Sequence, residues 1–336
     1  MPSTSLLSRL RPDPYILILL STVVIASLLP ATGSAAHAVE VLTQVAIGLL
    51  FFFYGARLST QETLEGLRNW RLHLTVFLST FALFPVLGLL IGLLPADVLS
   101  PQLYTGVLYL CLLPSTVQSS IAFTSTARGN VAAAICSASL SSLVGIALTP
   151  LLVWLTMGTG GSGMSGDSIV DLVLQLLLPF VLGQISRRWI GSWAAQHSKA
   201  LGRYDRSTIV LIVYSAFSQG VAQGIWHQIA PIQLAWLALI EGALLAFVLT
   251  ATHLVSRVLG FSHADQSAIV FCGSKKSLAS GLPMANVIFA GTGIGLIVLP
   301  VMLFHQMQLI VCAMIARRRA VDTTESSRDE RTPEPV

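Results

Sequence analysis

The chain has 336 residues, 54% of them hydrophobic and only 10% charged, with a formal net charge of +4. So apolar a composition excludes a soluble globular protein, whose surface needs far more charge. The basic excess is scattered between apolar runs, which excludes a nucleic-acid patch and points to membrane topology instead.

Taken in chain order, the apolar runs and their polar breaks predict an all-α polytopic membrane protein with ten transmembrane helices. They lie near 15–29, 41–59, 72–94, 102–127, 130–157, 168–186, 207–225, 231–256, 264–290 and 293–316. Residues 1–13 read as an N-terminal cytoplasmic segment. The tail 319–336 mixes charges with Ser, Thr and Pro, has no apolar face and is expected to be disordered. A Gly- and Ser-rich linker at 158–167 divides 14–157 from 168–318, with five spans in each part. Arg9 and Arg11 ahead of the first run, and ATGSAAHA after it, also fit a secretory signal, but the polytopic context favours a retained span.

Every Lys and Arg except Lys275 and Lys276 falls in the tails and turns of one side, including Arg68, Arg71, Arg187, Arg188, Lys199, Arg203, Arg206 and Arg317. The positive-inside rule then places both termini in the cytoplasm. Cys111, Cys136, Cys272 and Cys312 sit inside apolar windows and read as small core residues.

Five spans per half is an odd number, so two repeats would be inverted relative to each other, as in many secondary transporters. The fourth span of each half carries the polar and helix-breaking residues: LPSTVQSSIAFTSTARGN at 113–130 and FCGSKKSLASGLPMAN at 271–286. Pro114 and Pro283 each remove a backbone donor, so both helices are expected to break near the midplane. Irregular backbone in hydrocarbon survives only against protein or a wet cavity, so the breaks should face each other and offer half-helix termini to an ion or charged solute.

The candidate site is therefore Ser115, Thr116, Gln118, Ser119 and Ser120 with Ser274, Lys275, Lys276 and Ser277. Ser139, Ser141 and Ser142 read instead as packing residues. A charge at the bilayer centre costs about 3 kcal/mol on the insertion scale, so the two lysines need partners, a wet cavity or neutrality. If the ninth span began near Ser277 they would snorkel to the cytoplasm, but 264–274 would then be an apolar segment without a place. Adjacent helical residues point about 100° apart, so one lysine is expected at the crossing and the other in a crevice. Glu241 is the one carboxylate well inside a span, a proton carrier, a lysine partner or a bonded structural residue. His253 and His305 lack ligand spacing and read as structural.

The blocks PSTVQSSIAFTSTARGN and CGSKKSLASGLP, with LTPLL at 148–152, resemble the bile acid:sodium symporter superfamily, in particular its bacterial branch related to the seventh member of solute carrier family ten. The resemblance covers about residues 12 to 318. It implies two inverted five-helix repeats, a panel domain of spans 1, 2, 6 and 7, and a core domain of the remainder in which broken helices 4 and 9 cross. It also implies an organic anion bound between the two domains, alternating access and a bacterial inner-membrane location.

This chain departs from the family's sodium ligands at Ile121, Ala134, Ala138, Phe271 and Lys275, which argues against sodium coupling. One ammonium is then expected to occupy the sodium region, held by half-helix carbonyls and the oxygens of Gln118, Ser119 and Ser120. The other would attract the anionic substrate.

The function expected is a secondary active transporter of a small organic anion, bile-acid-like or otherwise carboxylate- or sulfate-bearing, in a lipid bilayer. No cofactor and no nucleic acid are expected; a sodium ion or a proton is the candidate coupling ion, and oligomeric state is left open. A channel or a transport-like regulator of ion homeostasis is the alternative. An intramembrane enzyme using Ser274 or Ser277 with a lysine is remote, because adjacency in sequence makes neither a base nor an oxyanion site.

Overall fold

The computed structural model describes residues 14–57, 69–95, 97–157, 166–222, 224, 230–289 and 294–329, and these form helices joined by turns, without a strand among them. In chain order the helices are α1 (Pro14–Leu28), α2 (Ser34–Arg57), α3 (Trp70–Ile91), α4 (Pro101–Leu112), α5 (Val117–Thr126), α6 (Val131–Met157), α7 (Gly166–Gln196), α8 (Ser198–Ala222), α9 (Pro231–Val258), α10 (His263–Gly273), α11 (Leu278–Ile288) and α12 (Ile294–Asp329). The expected segment 1–13 and most of the linker, 158–165, lie outside the described residues.

Among the described residues, α2, α3, α6, α9 and the stretch Ile294–Val321 of α12 are each long and apolar enough to cross a membrane. α4 and α5 pass the same test together, bent by 62° at their junction. Leu20, Leu89, Leu239, Phe247 and Leu254 point outward and are exposed, while Thr80, Ser115, Ser120, Lys275, Lys276 and Gln308 are fully buried. Apolar outside and polar within is the arrangement hydrocarbon selects, since lipid cannot satisfy a polar group.

Two sets of helices pack internally. α2 lies along α7 and α8, and α1 along α8; separately, α10 packs on α3, α5, α6 and α9, and α12 on α4, α9 and α11. The sets meet where α8 touches α11 and α12 and where α6 touches α7. The α2–α7 crossing depends on two glycines. A Cβ at Gly55 would run into the Phe180 carbonyl oxygen, and one at Gly183 into that of Phe52, so only bare backbone allows so close an approach.

Local chemistry fixes the ends. Ser100 accepts from the Leu103 N–H at 3.4 Å ahead of Pro101 and so starts α4. In the ARGN turn, Arg128 takes φ +54°, and Asn130 then caps α6 by accepting from the Ala133 N–H at 3.0 Å. The same Asn130 donates to Asp265 Oδ1 at 2.8 Å, tying the α5–α6 junction to the first turn of α10. One expectation changes: α12 runs on to Asp329, past 319 where an irregular tail was expected. Arg319 anchors this extension by donating to Ser267 Oγ at 3.1 Å and meeting His253 Nδ1 at 3.0 Å.

Candidate functional site

The two breaks, 113–116 between α4 and α5 and 274–277 between α10 and α11, lie against each other and complete each other's hydrogen bonds. A helix end leaves its last carbonyls without intrahelical donors. At the end of α10, Ser115 Oγ donates to the Cys272 carbonyl at 2.6 Å, Ser120 Oγ to that of Phe271 at 2.9 Å, and Ser79 Oγ to that of Gly273 at 2.9 Å. Ser274 Oγ returns to the Val270 carbonyl at 2.6 Å, and Thr116 Oγ1 donates to the Lys276 carbonyl at 2.7 Å. At the end of α4, Thr149 Oγ1 donates to the Leu112 carbonyl at 2.9 Å and the Ser277 N–H to that of Pro114 at 2.9 Å. Ser115 itself is held by α6: its N–H donates to Ser141 Oγ at 3.0 Å, and its carbonyl accepts from Ser142 Oγ at 3.4 Å.

The remaining carbonyls at the α4 break belong to Cys111 and Leu113, and Lys276 takes both. Its Nζ donates to Leu113 at 2.7 Å, to Cys111 at 2.8 Å and to the Thr80 carbonyl at 2.8 Å, and it lies 4.2 Å from the centre of the Phe84 ring. Thr80 is free to accept for a local reason. Residues 79–83 form one π-helical turn, so the Phe84 N–H donates five residues back to Ser79, and Pro85, the next in line, has no N–H for Thr80. Three charge-assisted bonds exhaust the three donors of an ammonium and offset its desolvation. The Lys276 backbone is clamped as well: its N–H donates to Gln308 Oε1 at 2.9 Å, and its carbonyl accepts from Gln308 Nε2 at 2.8 Å.

Lys275 is placed differently. It too is fully buried, but its Nζ makes no hydrogen bond with a described residue; it lies 3.8 Å from the centre of the Phe123 ring and 5.8 Å from that of Phe271. Neither lysine has a serine hydroxyl among its partners in the described residues, so the Ser/Lys pairing that an enzyme would need is not formed there.

On the other face of the crossing is a cavity of about 280 Å³. The first turn of α5 (Thr116, Val117, Gln118), the first turn of α11 (Ser277, Ala279, Ser280), α6 (Ser139, Ser142), α2 (Tyr54, Arg57), α7 (Phe180) and α8 (Asp205) line it. Ser277 Oγ caps α11 by accepting from the Ser280 N–H at 3.1 Å. Thr116, the corresponding residue of α5, makes no cap, because its hydroxyl is turned to the Lys276 carbonyl. Arg57 enters from the end of α2, its two terminal nitrogens each 2.9 Å from an oxygen of Asp205.

Of the residues singled out from sequence, Ser115, Ser120 and Ser274 therefore bond backbone carbonyls at the crossing, while Thr116, Gln118 and Ser277 line the cavity. Ser119 Oγ is buried and has no partner among the described residues. Glu241 is fully buried on α9, with neither carboxylate oxygen bonded to a described residue. The acceptors around Lys276 are the half-helix carbonyls and Thr80; the Gln118, Ser119 and Ser120 side chains are not among them.

Sequence reasoning missed Thr80, Gln308, Arg57 and Asp205. The signals were available: Ser79, Thr80 and Pro85 interrupt an apolar run, His305, Gln306 and Gln308 cluster in the last one, and Asp205 lies between two arginines. His305 and His253 are both bonded, to Gln308 and Arg319. All four cysteines are buried and free.

A family model described as the SBF-like CPA transporter family matches residues 13–320. Among curated proteins, the chain is 52% identical over 306 residues to "Putative symporter YfeH" of Escherichia coli strain K12, an alignment covering 91% of this chain and 92% of that one. It is 29% identical to "Sodium/bile acid cotransporter 7-B" of Xenopus laevis over 340 residues, 95% of this chain and 97% of the relative. With "Sodium/bile acid cotransporter 7" of Rattus norvegicus it shares 28% over 344 residues, 95% and 98% of the two chains. The apolar helical body, the two broken helices locked together by their own carbonyls and these full-length matches lead to one assignment: the chain is an integral membrane transporter, not an enzyme, and belongs to the SBF-like CPA transporter family, within the bile acid:sodium symporter group.

Proposed function

We propose that this transporter is a secondary carrier that moves a small organic anion by alternating access, without a coupling sodium ion at the helix crossing. The observation that carries the reading is the cavity of about 280 Å³ between the α1–α2–α7–α8 set and the broken helices. Two helix N-termini meet there with the Arg57 guanidinium, which the Asp205 carboxylate already pairs, and both the termini and the guanidinium favour negative charge. In this reading the first set is the panel, the other helices are the core, and the α4–α5 and α10–α11 pairs are equivalent elements of two inverted five-helix repeats. Both termini face the cytoplasm of a bacterial inner membrane. The cavity is below the 300–1,000 Å³ typical of drug-sized ligands, so a small carboxylate or organosulfate fits better than a sterol.

Sodium does not fit the crossing, because the carbonyls of Thr80, Cys111 and Leu113 are already bonded to the Lys276 ammonium. A cation covalently attached to the chain cannot be exchanged, so it holds the two breaks together in every state of the cycle. Alternating access then requires the core to move as one piece against the panel.

Two measurements test the proposal. Thermal unfolding of the purified protein with small carboxylates, organosulfates and their neutral amides should show stabilisation by anions alone, followed by saturable countertransport of the stabilising anion in proteoliposomes. Equal stabilisation by the neutral amides would sink the anion reading. Replacing sodium by choline should leave the native chain unchanged, whereas Lys276→Ala, which bares the three carbonyls, should gain stability from sodium. Strict sodium dependence of the native chain would show the tethered-cation reading to be wrong.

A further inference from the structure

The inner cavity is not the only one that Arg57 lines. A second, wider cavity of about 720 Å³ opens beyond it, bounded by Ala56 and Arg57 at the end of α2, by Gln184, Arg187, Arg188 and Gly191 of α7, and by Ser198 at the start of α8. It lies beside the tight Gly55–Gly183 crossing, where α2 and α7 touch backbone to backbone. Arg57 thus stands between an outer vestibule carrying two further arginines and an inner cavity at the broken helices. Its guanidinium is held across the gap by Asp205 of α8 in a two-point pairing, and it lies 5.1 Å from the Tyr54 ring centre. Its Nε donates to the Phe53 carbonyl at 3.1 Å.

We infer that Arg57 is the residue that receives the acidic group of the anion, and that the Arg57–Asp205 pair is a gate between the two cavities, closed by a carboxylate of the chain itself. The Asp205 carboxylate makes with Arg57 the paired bonds that an incoming carboxylate would make, so the exchange replaces like with like. Arg57 keeps 23% of its side-chain surface accessible, so an incoming anion can reach the guanidinium, while Asp205, at 8%, is the more enclosed partner. Arg187 and Arg188 raise the local concentration of anions at the outer mouth. A carboxylate that displaces Asp205 frees the Arg57 side chain to swing, and it arrives where Thr116, Val117 and Gln118 present the uncapped start of α5. The inference rests on the inner cavity being the anion site.

A cysteine reporter tests the gate without a known substrate. Ala279 lines only the inner cavity of the two. In Ala279→Cys protein, measured against the native chain with its four buried cysteines, the reaction rates of anionic sulfonatoethyl methanethiosulfonate and its neutral hydroxyethyl analogue are compared. Asp205→Asn should speed both reagents, the anionic one by about tenfold or more, since an unpaired guanidinium steers anions. Arg57→Gln should speed the neutral reagent and lower the anionic-to-neutral ratio by about tenfold. If Arg57→Gln does not fold, Arg57→Lys serves in its place and should keep the anion preference with a leakier gate.

Rates that are the same in all backgrounds, or that change equally for both reagents, would make the pair purely structural and overturn the inference. Rapid labelling with the native pair intact would overturn the gate and leave the anion site standing. No labelling in any background would remove both, because the inner cavity would have no path to water.

Discussion

Lys276 aims its Nζ at the carbonyls of Thr80, Cys111 and Leu113, whereas Lys275, one residue earlier, lies over the Phe123 ring with no hydrogen bond to a described residue. Both are fully buried, so burial does not separate them. The supply of acceptors does. Lys276 lies where the end of α4 and a π-helical turn leave carbonyls without donors, and its ammonium completes them. Lys275 points to an aromatic surface that offers a few kcal/mol of cation–π attraction at most. Intramembrane lysines are thus of at least two kinds, one closing a backbone network and one left available.

The comparison predicts opposite consequences for the same substitution. Lys276→Met should be the most damaging, at about 3–5 kcal/mol, because buried carbonyls at three positions lose their donor together. Thermal unfolding in detergent would show it, and an unchanged midpoint would end the claim that this ammonium holds the crossing. Gln308→Leu should cost about 2 kcal/mol, since the Lys276 N–H is left buried and unpaired while its carbonyl keeps Thr116.

Lys275→Met should be neutral or stabilising by about 1 kcal/mol, as an isosteric apolar chain needs no acceptor. A loss comparable with that of Lys276→Met would mean that the two environments do not differ in kind. If Lys275→Met also abolishes transport at unchanged stability, the available amino group belongs to the transport cycle.

The break at Pro114 was legible in the sequence because a proline without an N–H obeys a local rule wherever the chain goes, whereas the second break falls at 274–277 and Pro283, expected to interrupt the helix, lies inside α11. That the two lysines stand apart from the other basic residues was equally legible, since hydropathy and the charge asymmetry act along the chain. The uses of the polar residues were not. Ser115 and Ser120 read as ligands, and in the fold they serve the carbonyls of α10, because a hydroxyl satisfies whichever acceptor the neighbouring helix brings within reach.

Thr80 and Gln308 lie 196 and 32 residues from Lys276. Arg57 and Asp205 are separated by 148. No periodicity reports such distances. Sequence alone determined a helical membrane protein with two polar stretches that interrupt its helices and a pair of lysines apart from the other basic residues, because backbone satisfaction and transfer from water to lipid are set by local composition. Only the tertiary structure decided which lysine is bound and which is left open, because that depends on carbonyls from two separate segments, Thr80 of α3 and the 111–113 end of α4, arriving around one nitrogen.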